Sequence, residues 1–90
     1  MNSRAIYHPE VRADIALINE KLKKRVKKAI ETRLKTEPEK YGVPLRKTLK
    51  GYWKMRAGDY RIIFRVSGDE IIIFGIQHRK NVYGAIGKRL

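Results

Sequence analysis

The spacing of apolar residues changes once along this chain, and the change separates two kinds of secondary structure. Between residues 11 and 34, apolar side chains recur every three or four positions, which predicts an amphipathic helical region. After Gly51 the period becomes two, so that apolar and mostly basic positions alternate in residues 60–66, as in a strand with one face in a core. The sequence therefore predicts an α+β fold in which an N-terminal helical hairpin packs on a small antiparallel sheet.

The helical region is too long to form one element. An unbroken helix of about 26 residues would extend ~39 Å, which is more than a domain of 90 residues can cover. Residues 8–10 contain a proline followed by an acid and are expected to begin the first helix. We expect a break near Asn19, whose side chain can cap a second helix. Pro38 and Gly42 are expected to end that helix, and Pro44 to keep the next segment extended.

The C-terminal half is expected to form a three-stranded meander, with turns at residues 58–59 and 67–69. Its last strand is apolar on both faces, as expected of a strand that is covered on two sides. Residues 1–90 are expected to form a single domain. The expected elements are an edge strand at residues 5–7, strands at 52–57, 60–66 and 71–76, and a short C-terminal helix at 81–90.

The chain is strongly basic, with 22 Lys and Arg against 9 Asp and Glu and a formal net charge of +13. Such an excess attracts polyanions, so nucleic acid or an acidic protein is the expected partner. A membrane is not expected, because no apolar run approaches the ~18 residues of a span and the basic stretch lacks interleaved Trp or Phe. No apolar core of a secretion signal is found near the N-terminus, so we expect the cytoplasm. The absence of cysteine excludes disulfides and Cys nucleophiles.

Basic side chains recur at strand spacing in the C-terminal half. On adjacent antiparallel strands such side chains lie about 5 to 8 Å apart, and no carboxylate accompanies them on that face, which is suited to a phosphodiester. The alternative is an ordinary solvated sheet face, which is more common when judged from spacing alone. Under both alternatives, the basic face of the predicted second helix can contact a phosphate backbone. The candidate binding residues are Lys24, Lys27, Lys28, Arg56, Arg65 and Lys80, and the candidate catalytic cations are Lys54, Arg61 and Arg79.

His78 and Tyr83 are the remaining candidates for chemistry. A neutral imidazole at a strand end can act as a general base or acid, although a lone histidine is more often structural. Tyr83 can anchor the C-terminal segment or stack on a base. No Gly-rich phosphate loop or metal motif is present, since the glycines are scattered and the two histidines are 70 positions apart. A phosphodiesterase of this kind would need no metal or cofactor, because the 2'-OH of RNA can serve as nucleophile.

Two segments of the sequence resemble the RelE/ParE superfamily of bacterial and archaeal toxins. They are the Gly-Asp-Tyr-Arg turn at residues 58–61 and the His-Arg-x-x-Val-Tyr run at 78–83. The resemblance implies a microbial RNase-like fold and an acidic antitoxin as partner, with operator DNA contacted only indirectly through that antitoxin. Within the superfamily, RelE-like members cut mRNA in the ribosomal A site. ParE-like members poison DNA gyrase and lack the basic catalytic set.

The resemblance also assigns roles by position. Arg61 matches an arginine that binds the scissile phosphate, and Lys54 a lysine that stabilises the transition state. Arg79 matches an arginine near the leaving oxygen, and Tyr83 a tyrosine that orients the nucleophile or stacks on a base. His78 replaces a basic residue and becomes the candidate general base.

The chain departs from the RelE pattern at Tyr52, where a second lysine would stand, and Arg56 is expected to supply part of the missing charge. We therefore expect a RelE-like endoribonuclease that cleaves mRNA on the ribosome. A ParE-like gyrase inhibitor is the alternative, and a nucleic-acid-binding domain without toxin activity is a third possibility that explains the charge alone.

Overall fold

The computed structural model describes residues 3–89 and contains one five-stranded sheet, with strand order β1-β5-β4-β3-β2. Neighbouring strands are antiparallel except β1, which runs parallel to β5. The strands are β1 (Arg4–Tyr7), β2 (Val43–Pro44), β3 (Trp53–Ala57), β4 (Tyr60–Ser67) and β5 (Glu70–His78). The helices are α1 (Val11–Ala16), α2 (Glu20–Ala29), which continues as a π-helix over Ile30–Leu34, α3 (Pro38–Tyr41), a 3₁₀ turn at Lys47–Leu49, and α4 (Val82–Gly87).

The predicted α+β architecture is confirmed, with two corrections to the sheet. The sheet is mixed rather than wholly antiparallel, because the N-terminal strand pairs in parallel with β5. No hairpin joins β1 to β5, so the connection does not impose antiparallel pairing. The short strand β2 was also not predicted; its Pro44 is extended as expected and pairs opposite Trp53 at the sheet edge, where a strand tolerates proline.

The break near Asn19 is confirmed. The Asn19 side chain accepts a hydrogen bond from the Leu22 backbone N–H at 2.9 Å and so caps α2. Both α1 and α2 contribute to the main core, which lies on one face of the sheet. Buried core residues of the helical region and the sheet are Val11, Ile18, Val26, Ile30, Met55, Ile62, Phe64, Ile71, Ile73 and Ile76.

The prediction that Pro38 and Gly42 end the second helix is wrong. The helix ends earlier, at Leu34, and Pro38 instead occupies the first position of α3, where its missing N–H costs nothing. Glu37 before it is non-helical, as the residue preceding a proline prefers. Gly42 ends α3 beside the ring of Phe64, and a Cβ at Gly42 would stand only 2.5 Å from Phe64 Cζ.

The second face of the sheet is covered by α4. Val82 and Ile86 are buried against Ile63, and Phe74 is partly buried beside them. Gly75 allows this close approach, because a Cβ there would stand 2.2 Å from Ile86 Cδ1. β5 is therefore covered on both faces, as its apolar composition predicts. The predicted helix extended to Leu90, which lies outside the described residues.

The tight turns of the meander fall where the sequence places them. Gly58 and Gly68 adopt φ values of +63° and +60°, a left-handed conformation that favours glycine. Within residues 3–89, no helix combines the length and apolar character needed to cross a bilayer.

Candidate functional site

The clearest contact between predicted site residues joins β3 to α4. Lys54 lies opposite Ile63 in the β3–β4 ladder, and Ile63 faces α4, so Lys54 projects on the α4 side of the sheet. Lys54 Nζ donates a hydrogen bond to the Tyr83 hydroxyl at 3.2 Å and lies 5.9 Å from the centre of the Tyr83 ring. Tyr83 keeps 48% of its surface exposed. A cation and a phenol are thus held together at a surface that a ligand can reach.

Two arginines extend this surface toward the β3–β4 turn. Arg56 pairs directly with Arg61 across the ladder, an arrangement of like charges that is unfavourable without an anion. Arg61 is half-buried, and its Nη1 donates to the backbone oxygens of Gly58 and Tyr60, both at 3.1 Å. These two contacts fix the guanidinium near the turn. The charge of Arg61 is therefore preorganised, as electrostatic stabilisation of a phosphate requires.

Arg79 and Lys80 immediately follow β5 and are exposed. The Arg79 backbone N–H donates to the Asp59 carbonyl at 2.8 Å, which fastens this loop to the same β3–β4 turn that holds Arg61. Within the described residues, neither Arg79 nor Lys80 forms an ion pair with a carboxylate. This backbone hydrogen bond brings the start of the loop close to the turn that holds Arg61, at one end of the surface that carries Lys54.

His78 is placed differently from the other candidates. It pairs with Tyr60 in the β4–β5 ladder, and the two rings meet edge to face with centres 5.6 Å apart. Tyr60 packs against the main core, so strand alternation puts His78 on the helix side of the sheet, away from Lys54 and Arg61. Its Nδ1 accepts a hydrogen bond from the Lys80 N–H at 3.2 Å. The structure therefore places His78, the candidate general base, on a different face of the sheet from Lys54 and Arg61.

The candidate binding residues are divided between the two sides. Arg65 is exposed on β4 beyond Ile63. Lys24, Lys27 and Lys28 are exposed on α2, which packs on the opposite face of the sheet from Lys54. A ligand that touched both groups would have to pass around an edge of the sheet.

A buried cluster around Asp14, which was not predicted from the sequence, holds the residues that follow α4. Asp14 is only 3% exposed and accepts hydrogen bonds from the Ile76 N–H at 2.9 Å, from the Gln77 side chain, and from Arg89 Nη1 at 2.7 Å. Arg89 Nη1 also donates to the Phe74 carbonyl at 2.8 Å. The hydrogen bonds to Asp14 raise the pKa of the Arg89 guanidinium.

This cluster helps to position α4, and with it Tyr83, because Arg89 follows α4 and donates hydrogen bonds to Asp14 of α1 and to the Phe74 carbonyl of β5. A signal for it does exist in the sequence: Asp14 interrupts the apolar stripe of α1, and a buried carboxylate requires partners. The sequence contains 22 Lys and Arg, however, and local spacing does not reveal which of them reaches Asp14.

Comparisons with known proteins agree on the family. Residues 5–83 match the family described as the ParE toxin of the type II toxin-antitoxin system, parDE. Over 52 residues the chain is 35% identical to Toxin RelG of Mycobacterium tuberculosis, covering 56% of this chain and 60% of that protein. Over 40 residues it is 45% identical to Toxin RelE3 of Methanocaldococcus jannaschii, covering 41% of this chain and 46% of that protein. The matches thus span less than two thirds of either relative's length.

Solved structures resemble the chain over nearly its whole length. The toxin-antitoxin complex RelBE2 from Mycobacterium tuberculosis contains a chain with a TM-score of 0.83 at 25% identity, covering 88% of this chain and 93% of that one. The RelB-RelE antitoxin-toxin complex from Methanococcus jannaschii gives a TM-score of 0.67 at 26% identity, covering 89% and 96%. The family match over residues 5–83, together with this fold, shows that the chain belongs to the RelE/ParE superfamily of toxins from type II toxin-antitoxin systems.

Proposed function

We propose that this protein is a cytoplasmic toxin that cleaves mRNA in the ribosomal A site and is held inactive by an acidic antitoxin. The observation that carries the proposal is the contact between Lys54 and Tyr83 on a sheet face that also presents Arg56 and Arg61. A surface that only bound a protein would not need a lysine and a phenol in mutual contact beside a fixed arginine. The RelE-type toxins among the relatives support the same activity.

The proposed reaction uses the RNA's own 2'-OH as nucleophile. The 2' oxygen attacks the adjacent phosphorus, the bond from phosphorus to the 5' oxygen breaks, and the products are a 2',3'-cyclic phosphate and a 5'-OH end. The 2'-OH gives up its proton to water, and the leaving 5' oxygen takes a proton from water, so the step is balanced. The phosphorane between these states carries more negative charge than the phosphodiester, so fixed cations stabilise it more than they stabilise the substrate.

The residues divide these tasks according to their positions. Arg61, which is held at the turn, binds the scissile phosphate, and Lys54 stabilises the phosphorane. Tyr83 stacks on a base or orients the 2'-OH, since its exposed ring stands beside Lys54. Arg79 lies near the leaving 5' oxygen and stabilises the negative charge that develops on it. His78 packs against Tyr60 on the other face, and we assign it a structural role in place of the general base.

An antitoxin partner is supported by an apolar groove between α1 and α2. The groove has a volume of 290 Å³ and is lined mainly by apolar side chains, among them Ile15, Val26 and Ile76, with Lys23 and Lys27 at its rim. An amphipathic acidic segment would place its apolar side in the groove and its carboxylates beside the lysines. Solved relatives described as toxin-antitoxin complexes support this partner. Operator DNA would then be reached only through the antitoxin.

Inhibition of DNA gyrase is the second candidate function, because the matching family is described as the ParE toxin. A gyrase inhibitor would act by binding alone. It would not depend on the chemistry of Lys54, Arg61 or Tyr83.

One experiment separates the two functions. A pulse of expression in growing bacteria is followed by mapping of the 5' ends of cellular mRNA, with Arg61→Ala and Arg12→Ala expressed in parallel. Arg12 is an exposed arginine on α1 and serves as the matched control. In-frame cuts with the wild-type chain and Arg12→Ala, and none with Arg61→Ala, support the endoribonuclease. Intact mRNA together with accumulating gyrase–DNA cleavage complexes would select the second function.

A further inference from the structure

A basic cleft of 360 Å³ lies between α2 and the end of β3, at the edge of the sheet face that α1 and α2 cover. Four cations line it: Arg25, Lys28, Arg33 and Arg56. The β3–β4 turn closes one end, where a Cβ built on Gly58 would stand 3.8 Å from Arg25 Nη1. Of the four, only Lys28 and Arg56 were candidate binding residues in the sequence, because local spacing does not reveal that Arg25 and Arg33 meet Arg56 at the end of β3.

Within residues 3–89, no carboxylate forms an ion pair with any of these four cations. The residues that line the cleft include no carboxylate. Carboxylates of the chain pair with other cations instead, as Glu20 does with Lys23 and Glu31 with Lys35. A group of cations around one space is unfavourable unless an anion enters it. The cleft therefore has the character of an anion site.

The cleft is continuous with the surface that carries Lys54. Arg33 and Arg56 also line a second cleft of 230 Å³, which contains Lys54. The Arg33 guanidinium lies 5.6 Å from the ring centre of Tyr41, a contact that holds it between the two clefts. Arg33 and Arg56 thus form a bridge around the part of the β3 edge that β2 leaves unpaired. A strand of linked anions could follow this bridge from one side of the sheet to the other.

The turn provides a second connection. The Gly58 carbonyl accepts the hydrogen bond from Arg61 Nη1 at 3.1 Å. The α-carbon of the same glycine faces Arg25. One turn residue therefore separates the arginine proposed to bind the scissile phosphate from the end of the basic cleft.

We propose that the cleft binds an RNA phosphodiester other than the one that is cleaved. Guanidinium groups match phosphate oxygens bidentately, and the continuity with Lys54 favours a polyanion that extends from the reacting site. An acidic peptide is the less favoured occupant, since the apolar groove between α1 and α2 offers such a segment the hydrophobic contacts that this cleft lacks. The inference rests on the proposed function. The phosphodiester belongs either to the cleaved strand or to ribosomal RNA, which present the same chemistry.

The test measures binding apart from cleavage. A single-stranded oligonucleotide with 2'-deoxy sugars lacks the nucleophile, so its affinity is measured whether or not the protein is a ribonuclease. Arg25→Gln and Arg33→Gln are compared with Arg12→Gln, an exposed arginine outside the cleft. Thermal denaturation confirms that each variant is folded. Ribosome binding and binding of an acidic antitoxin peptide are measured on the same set.

We expect Arg25→Gln and Arg33→Gln each to weaken binding of the nucleic acid about tenfold. Each should also lower the slope of log affinity against log salt by about 0.7 for every phosphate that the variant no longer neutralises. Arg12→Gln should retain wild-type affinity. Weaker binding of the oligonucleotide supports contact with the cleaved strand, and weaker binding of ribosomes alone supports contact with ribosomal RNA. Wild-type affinity of both cleft variants for both ligands would overturn the proposal, and so would weaker binding of the antitoxin peptide alone.

Failure of this proposal is distinguishable from failure of the proposed function. If the wild-type chain leaves mRNA intact but the cleft variants still bind the oligonucleotide weakly, the phosphate site stands and the cleavage activity is refuted. If mRNA is cut and the cleft variants bind normally, the reverse holds.

Discussion

At the scale of single residues, the proposed function depends most on the contact between Lys54 and Tyr83. If the two groups act on the same phosphate and nucleophile, their contributions to the rate are not independent. We expect Lys54→Met and Tyr83→Phe each to slow single-turnover cleavage, and the double variant to lose less than the product of the two effects, with a coupling of about 0.5–3 kcal/mol. The control pairs Lys54→Met with Arg12→Ala, whose effects should multiply. If the effects of the Lys54 and Tyr83 substitutions on the rate also multiply, the two side chains act independently and the contact has no catalytic role.

The placement of His78 leads to a second prediction at this scale. An imidazole that acts as general base ordinarily produces a titration in the rate between about pH 5 and 8. Because the His78 ring packs edge to face on Tyr60, we expect His78→Ala to leave the pH profile of the single-turnover rate unchanged and to cost about 0.5–1.5 kcal/mol of stability. The measurements are the pH–rate profile and chemical denaturation. Loss of a titration in that range would restore His78 as the base.

At the scale of elements, α4 is held in place by its apolar contacts with the sheet and by the buried ion pair of Arg89 with Asp14, rather than by its own helical propensity. It contains two glycines among six residues, which weaken an isolated helix. Arg89→Met would leave Asp14 as a buried carboxylate without its cation, at a cost of about 3–5 kcal/mol. We expect a lower melting temperature and faster amide hydrogen exchange in α4. Lys88→Met, an exposed neighbour, is the matched control, and equal effects of the two substitutions would contradict the anchoring role.

The caps of α2 and α4 provide a matched comparison. The Asn19 side chain caps α2 at 2.9 Å, whereas Asn81 precedes α4 without a side-chain hydrogen bond to it. Asn19→Ala should therefore cost about 1 kcal/mol in denaturant unfolding. Asn81→Ala should be nearly neutral, and a similar cost for both would show that the Asn19 bond contributes little.

At the scale of the whole molecule, local patterns predicted the elements better than their long-range partners. The change of period separated the helices from the meander, and Asn19 marked the break between α1 and α2, because periodicity and capping act within a few residues. The parallel pairing of β1 with β5 and the reach of Arg89 to Asp14 depend on contacts between distant segments. Strand alternation correctly placed Lys54 with Arg56 and Arg61 with Arg65. Strand alternation alone did not predict that His78, at the end of β5, packs against Tyr60.

The proposed function requires that the fold arrange cations to stabilise a phosphorane, and not merely to hold a polyanion. Removing one preorganised contact of this kind typically costs on the order of 100-fold to 1,000-fold in rate. Arg61 is fixed by two hydrogen bonds at the turn, and Arg79 begins the loop that is fastened to that turn.

The most direct test is single-turnover cleavage of ribosome-bound mRNA by Arg61→Ala and Arg79→Ala, with Arg12→Ala as control. We predict that the two site variants cut the rate by about 100-fold to 1,000-fold, while ribosome affinity changes less than about tenfold. Growth arrest should disappear with them and persist with the control. Full toxicity and an unchanged rate in both site variants would contradict the catalytic assignment and favour inhibition of gyrase.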